Sequence, residues 1–265
     1  MNELAAHFTE NERVTLVAVT SLDRTDFEFP GLGEATPVTR NNQNGLDTCF
    51  QGDIPVAPDS TAARARALIV KRAMDFVGAL SGLVALAPLL VIVAVIIKLT
   101  DKGPVFFRQN RTGLNGDAFA VLKFRSMYHD RGDLSGVQQT THNDSRVTPI
   151  GRFIRKTSID ELPQLFNVLA GDMSLVGPRP HVPGMLAAGV VYEQLAPHYS
   201  FRHTMRPGLT GWAQCNGLRG PTTERRKALS RVDHDVAYIQ NFSIMLDIKI
   251  LLRTLSRELF SSTAH

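Results

Sequence analysis

The spacing of apolar and polar positions divides the chain into three stretches of different character. Residues 1–62 contain one apolar run, "VTLVAVTSL" at 14–22, which reads as a strand. It is followed by "FPGLGEATPVTRNNQNGLDTCFQGDIPVAPDS", punctuated throughout by Gly, Pro, Asn and Asp. That composition predicts a flexible, mostly disordered tail. A second stretch, "FVGALSGLVALAPLLVIVAVII" from Phe76 to Ile97, runs 22 residues without a charge. As a straight helix it would reach ~33 Å, enough to cross a bilayer core.

The third stretch mixes short patterns. Val105 to Gln109 and Phe119 to Phe124 alternate around a Gly/Asn turn and predict a β-hairpin. Residues 128–149 are polar and read as a loop, whereas Ile150 to Ala170 has helical spacing that stops at Gly171. "GDMSLVGPRP" predicts a short strand entering a loop stiffened by Pro178 and Pro180, and "RPGLTGWAQCNG" a tight loop. Beyond Ser243, residues Ile244, Ile248, Leu251, Leu255 and Leu259 share one helical face. Such an amphipathic helix can lie in a membrane interface or pack against the core.

Pro88 complicates the apolar stretch. It cannot donate to the Val84 carbonyl, so a helix through it should kink. The flanks are basic on both sides: Arg64, Arg66, Lys71 and Arg72 before, Lys98, Lys102, Arg108 and Arg111 after. Basic flanks mark the cytoplasmic side, so a spanning helix receives contradictory orientation signals. A helix that enters, bends and returns satisfies both flanks, and a single-pass anchor is the alternative.

Charge sharpens the division. Residues 1–60 hold ten acidic and three basic residues, a net of −7, while the remainder holds fifteen and twenty-six, a net of +11. The bulk of the chain therefore favours anionic partners: phosphorylated substrates, lipid head groups or nucleic acid. Nucleic acid is disfavoured because the bases are not interleaved with stacking aromatics in a recognisable module. Cys49 and Cys215 lie far apart and form neither a zinc motif nor a disulfide framework. The N-terminus lacks the basic-then-apolar layout of a signal peptide.

Candidate chemistry concentrates in "TSIDELPQLFNVLAGDMSLVGPRP", residues 157–180. Ser158 and Glu161 have the spacing of a capping box. Pro163 argues against that, because Pro prefers the first helical position and would start the helix near Leu162. Asp160 and Glu161 would then stand just ahead of a helix, with Arg152, Arg155 and Lys156 before them. Arg179, held between prolines, loses little entropy on binding and suits a phosphate or base edge.

"NRTG", "KFRSM", "RKTSIDELPQLFNVLAGDMSLVGPRP", "RPGLTGWAQCNG" and "NFSIMLDIKIL" stand in the order found in bacterial sugar transferases. Over about residues 68–260 the chain resembles the monotopic polyprenyl-phosphate phosphoglycosyl transferases, specifically the short exopolysaccharide-initiating kind. The fold class this implies is α/β, mostly α. A re-entrant membrane helix–loop–helix kinked at Pro88 would occupy 63–102. A small cytosolic α/β catalytic domain with amphipathic interfacial helices would occupy 103–260. The acidic tail lies outside the pattern, and the extra transmembrane helices that larger members carry before this unit are not expected here. Many members carry Ser before the helix-breaking proline, where this chain has Ala87.

The resemblance implies transfer of a hexose 1-phosphate from a UDP-hexose, with glucose or galactose leading, to undecaprenyl phosphate, with Mg²⁺. The expected place is the cytoplasmic face of the bacterial inner membrane, among its lipids. Downstream glycosyltransferases or a second copy of the chain are possible partners. By the same resemblance Asp160 matches the nucleophile, Glu161 its metal-binding neighbour, Arg155 a phosphate-holding arginine and Lys123 an essential lysine. Asp247 matches a further acidic residue, expected at the metal, and Pro178, Arg179 and Pro180 a loop at the nucleotide base. Arg111 and Arg125, on the hairpin, are expected to contact substrate. The competing readings are a membrane-anchored basic adaptor and a nucleotide-sugar hydrolase.

Overall fold

The computed structural model describes residues 37–39, 48–50, 61–130, 144–196 and 198–260. The chain divides into two units, Met1–Ser60 and Thr61–His265. In the first, β1 (Pro37–Thr39) pairs antiparallel with β2 (Thr48–Phe50). The strand expected at 14–22 and most of the tail expected to be disordered lie outside the described residues.

The second unit begins with a single helix, α1, Thr61–Thr100, which contains Pro88 in its interior. The expected helix–loop–helix is thus corrected: no loop interrupts the helix at the proline. One missing N–H removes one bond of a long ladder, and an apolar helix has every incentive to keep the others. Its first half buries Lys71, Asp75, Ala79 and Leu83, four residues apart along one face. Gly78 and Gly82 let that face approach closely, since a Cβ at Gly78 would lie 2.7 Å from Leu175. Its second half buries Val93 and Ile97 against Phe124 and Ile154. Between Phe76 and Ile97 the remaining surface of the helix is apolar and largely open, with Val77, Val84 and Val91 exposed.

The hairpin forms as expected, slightly longer than the alternation indicates. β3 (Phe106–Thr112) pairs antiparallel with β4 (Ala118–Phe124), in a register that sets Phe107 opposite Lys123. Phe106 and Phe124 stack at the open end with ring centroids 5.5 Å apart. The region read as one helix from Ile150 to Ala170 is broken into α2 (Pro149–Lys156), a 3₁₀ turn over Ile159–Glu161, and α3 (Gln164–Ala170). Then follow β5 (Ser174–Val176), the small hairpin β6 (Leu186–Ala187) and β7 (Val190–Val191), and α4 (Tyr192–Leu195). "RPGLTGWAQC" is not simply a loop. It forms β8 (Gly208–Thr210), parallel to β5, and the short helix α5 (Trp212–Cys215).

Two long helices complete the unit: α6 (Arg225–Gln240) and α7 (Ile244–Phe260). α6 buries Ala228, Val232 and Val236 against Tyr192, Leu195 and Tyr199 in a core separate from the α1 contacts. α7 turns Leu246, Asp247 and Ile250 inward and leaves Met245, Ile248, Leu252 and Leu255 exposed. The expected apolar face is thus not the one that packs: Ile250 turns inward, while Ile248 and Leu255 are left exposed.

Asp247 corrects the expectation of a metal ligand. It is fully buried, its Oδ2 is 2.6 Å from the Lys71 ammonium, and its Oδ1 accepts from the Tyr238 hydroxyl at 2.7 Å. Lys71 also donates to the Val176 carbonyl at 2.9 Å, while Asp75 accepts from the Leu175 amide at 2.9 Å. The two carboxylate oxygens are thus spent on joining α7 to α1 through Lys71 and to α6 through Tyr238. Removing one partner of such a buried pair strands the other charge. Asp247→Asn should therefore lower unfolding stability by about 3–5 kcal/mol. Replacing both partners with apolar residues, Lys71→Met with Asp247→Leu, should recover much of that loss in thermal or denaturant unfolding.

Candidate active site

The carboxylate pair sits on a break between two helices. Thr148 caps α2 by accepting from the Gly151 amide, and Pro149 occupies the first turn. After Lys156 the chain reverses through Ser158, which adopts a left-handed conformation at φ 56°. In that conformation Ser158 makes no capping bond from its side chain, so the capping box does not form. Asp160 and Glu161 follow on the 3₁₀ turn, and Pro163 stands immediately before α3, where its missing N–H costs nothing. A non-glycine residue held at positive φ beside the pair is the kind of local strain that accumulates at functional sites.

Two segments converge on Glu161. Lys123, from β4, places its ammonium 2.7 Å from Oε1. Arg179, from the loop after β5, reaches Oε1 at 2.5 Å and Oε2 at 3.2 Å, a two-pronged grip. The strand carrying Lys123 is in turn fixed from α3. Asn167 accepts from the Leu122 amide at 2.9 Å and donates to the Ala120 carbonyl at 2.8 Å. Glu161 and Lys123 keep 18% and 19% of their side-chain surface, so the site is enclosed but not sealed.

Adjacent carboxylates in this setting are driven apart in proton affinity. Burial pushes the Asp160 carboxyl up to about 6, and the neighbouring Glu161 charge adds to it, against the pull of Lys123, Arg155 and Arg179. Burial pushes Glu161 up as well, but Arg179 and Lys123 more than reverse that and hold it well below the usual carboxylate range. Glu161 in turn raises Arg179 above its ordinary value. Burial brings Arg111 down to about 10, with the Arg179 charge adding to the shift.

The expected residues divide accordingly. Asp160, Glu161, Lys123 and Arg179 come together, with Arg155 within electrostatic reach of Asp160. Pro178 and Pro180 flank Arg179 beside a small cleft that Gly113, His203 and Met205 also line. Arg111 stands behind this loop and donates to the Pro180 carbonyl at 3.3 Å and to Gln109. Arg125 does not join the site. Only 7% exposed, it grips the Asp101 carboxylate at 2.9 Å and its carbonyl at 2.8 Å, closing the end of α1. Asn167, Arg202 and Asp235 went unread in the sequence, because a lone polar residue on a helix or turn carries no local signal of its distant partner.

Among the described residues no three His, Cys, Asp or Glu side chains gather into a metal cage. Mg²⁺ does not require one, since it binds through one or two carboxylates with substrate phosphates and water. Asp160 and Glu161 supply adjacent carboxylates of that kind; both Glu161 oxygens are engaged by Lys123 and Arg179, so a bound cation would take the place of one of these contacts.

A model of the family described as bacterial sugar transferase matches residues 66–261. The chain belongs to that family. This sugar transferase is 54% identical over 192 residues to the exopolysaccharide production protein PSS of Rhizobium leguminosarum bv. phaseoli, covering 72% of this chain and 96% of that one. It is 53% identical over 197 residues to an undecaprenyl-phosphate glucose phosphotransferase of Komagataeibacter xylinus, covering 74% and 37%. A 42% identity over 186 residues links it to the UDP-N-acetylgalactosamine-undecaprenyl-phosphate N-acetylgalactosaminephosphotransferase of Aeromonas hydrophila, covering 70% and 43%. The chain thus spans nearly all of the first relative and less than half of the other two.

The opposed shifts of the carboxylate pair can be measured directly. In metal-free protein labelled with ¹³C at Asp carboxyls, one resonance should titrate with a midpoint near 6. It should vanish in Asp160→Asn. In Glu161→Gln the midpoint should fall, because the neighbouring negative charge is gone and Lys123 and Arg179 are released towards Asp160. A midpoint that stays put would show that Glu161 does not set it.

Proposed function

We propose that this sugar transferase moves glucose 1-phosphate from UDP-glucose to undecaprenyl phosphate and thereby starts an exopolysaccharide chain. UDP-glucose is favoured over UDP-galactose because the Komagataeibacter relative is named for glucose transfer. The observation that carries the mechanism is the division of labour within the pair. Lys123 and Arg179 neutralise Glu161, leaving Asp160 to act on phosphorus.

In the first step an Asp160 oxygen attacks the β-phosphorus, and the bond from that phosphorus to the bridging oxygen breaks. UMP departs with the electron pair, leaving a glucosyl-phospho-aspartate. In the second step a phosphate oxygen of the polyprenol phosphate attacks the same phosphorus. The aspartyl bond breaks, Asp160 is restored and the lipid diphosphate sugar leaves. Both steps bring an anion to an anionic centre, so charge neutralisation dominates the barrier. Arg179 supplies a planar two-pronged grip, while Lys123 and Arg155 contribute positive charge around the transferring group. Glu161 would hold Mg²⁺, which when bound neutralises charge on the diphosphate. A hydrolase would give the same first step with water as the second acceptor.

The membrane supplies the lipid acceptor at the depth of the site. Ala62–Thr100 is long and apolar enough to cross a bilayer, yet both its ends are tied to one small domain. Near the start, Lys71 binds Asp247 and Arg72 donates to the Val168 and Leu169 carbonyls. Towards the other end, Ile97 packs on Phe124 and Ile154, and Asp101 pairs with Arg125. A helix crossing ~30 Å of hydrocarbon would deliver these ends to opposite sides. The ties favour an unbroken helix that bends at Pro88 rather than crossing, so that both basic flanks stay on the cytoplasmic side, with the exposed apolar face of α7 lying in the same interface. Basic residues near an anionic surface add ~1 kcal/mol each.

Enzyme incubated with UDP-glucose and Mg²⁺ alone should release UMP and carry a hexose phosphate on the peptide containing Asp160, seen by rapid-quench mass spectrometry. Asp160→Asn should lose both adduct and lipid product, with turnover reduced by several orders of magnitude. Glu161→Gln should slow adduct formation without abolishing it. No UMP until polyprenol phosphate is added would refute the covalent step, and steady water-dependent UMP release would favour the hydrolase. Separately, topology reporters before Lys71 and after Lys102 should both read as cytoplasmic, and a periplasmic reading at either end would overturn the membrane arrangement.

A further inference from the structure

The loop that aims Arg179 presents an unusual holding problem. Pro178 and Pro180 have no N–H, so the segment can be anchored chiefly through its carbonyls. Four consecutive ones are taken, each from a different donor. Pro178 accepts from the Gly208 amide at 2.9 Å and His181 from the Thr112 amide at 3.0 Å. Pro180 accepts from Arg111 at 3.3 Å. Arg179 itself accepts from Arg202 Nη2 at 2.7 Å.

Arg202 differs from the other three donors. It is a charge only 2% exposed, and its counter-ion Asp235, on α6, is 1% exposed. One guanidinium edge meets Asp235 Oδ2 through Nε at 2.9 Å and Nη2 at 2.8 Å. Nη1 lies 3.1 Å from His181 Nδ1, and the guanidinium carbon lies 5.1 Å from the centre of the Tyr199 ring. Burial, with the Arg202 charge adding to it, keeps His181 neutral, so its Nδ1 can accept that bond. A rigid fork meets α6, the Arg179 carbonyl and His181 at once, which a single ammonium cannot do.

We propose that Arg202, anchored by Asp235, is a positioning residue that sets the direction of Arg179 at the donor site. It acts through the Arg179 backbone, so that the guanidinium points at Glu161 and, when a donor arrives, at its diphosphate. This rests on the functional reading above, in which Arg179 meets the nucleotide diphosphate. Neither Arg202 nor Asp235 makes a hydrogen bond or ion pair to the carboxylate pair.

Calorimetric binding of UDP with Mg²⁺ to the full-length protein in nanodiscs tests it, with thermal unfolding as a check on each variant. Arg202→Lys and Asp235→Asn should each weaken UDP binding about tenfold or more, the scale of a misdirected positioning group. The deciding comparison is a double-mutant cycle with Arg179→Ala. If Arg202 acts through Arg179, adding Arg202→Lys to Arg179→Ala should cost nothing further. Losses that multiply, or an Arg202→Lys protein that binds UDP as wild type does, would overturn the proposal. So would a failure of both Arg202→Lys and Asp235→Asn to fold, which would make the pair purely structural. Wild-type protein that neither binds UDP nor releases UMP would instead overturn the functional reading itself, and the proposal with it.

Discussion

One half-buried carboxylate holds the site together. Glu161 receives Lys123 from a hairpin strand and Arg179 from a proline-flanked loop, and its own position comes from a turn between two helices. Each of these segments has its own supports. The shared ion contacts join a strand residue and a loop residue, 56 positions apart in sequence, at the same two oxygens. The contacts also make chemistry possible, because two neighbouring carboxylates cannot both stay ionised near an anionic substrate unless one is neutralised. Glu161 takes the cations, and Asp160 keeps a proton affinity close to neutrality.

The long apolar helix follows the same logic of shared contacts. An apolar helix alone could cross a bilayer, lie on it or bend within it. Lys71, Asp75 and Arg72 commit its first half to β5, α7 and α3. Val93 and Ile97 commit its second half to the hairpin and α2. Charged groups buried at one end and aliphatic groups at the other hold the helix against a single domain.

Acidic residues in this chain serve three different purposes, and type alone does not separate them. Asp160 and Glu161 face the site, Asp247 joins three elements beneath it, and Asp235 anchors the arginine behind the loop. Asp247 illustrates the difficulty. Its place among apolar residues marks it as unusual in the sequence, and its partners alone decide whether it binds a cation or a lysine.

The sequence by itself determined the local elements and the chemistry-bearing stretch. Alternation around a Gly/Asn turn located the hairpin, and Phe76 to Ile97 announced a long apolar helix. Pro163 placed the carboxylate pair ahead of a helix, and the long motif through Arg179 identified the family. These are legible because each depends on spacing within a few residues. Unbroken passage of α1 through Pro88, the strand hidden in "RPGLTGW", the withdrawal of Arg125 and Asp247 from the site, and the roles of Asn167, Arg202 and Asp235 were decided by tertiary structure. In each case the deciding partner lies far along the chain or is a backbone carbonyl. A side chain's electrostatic and hydrogen-bonding fate depends on which groups packing brings within about 3 Å of it, and no local pattern of residue types records that.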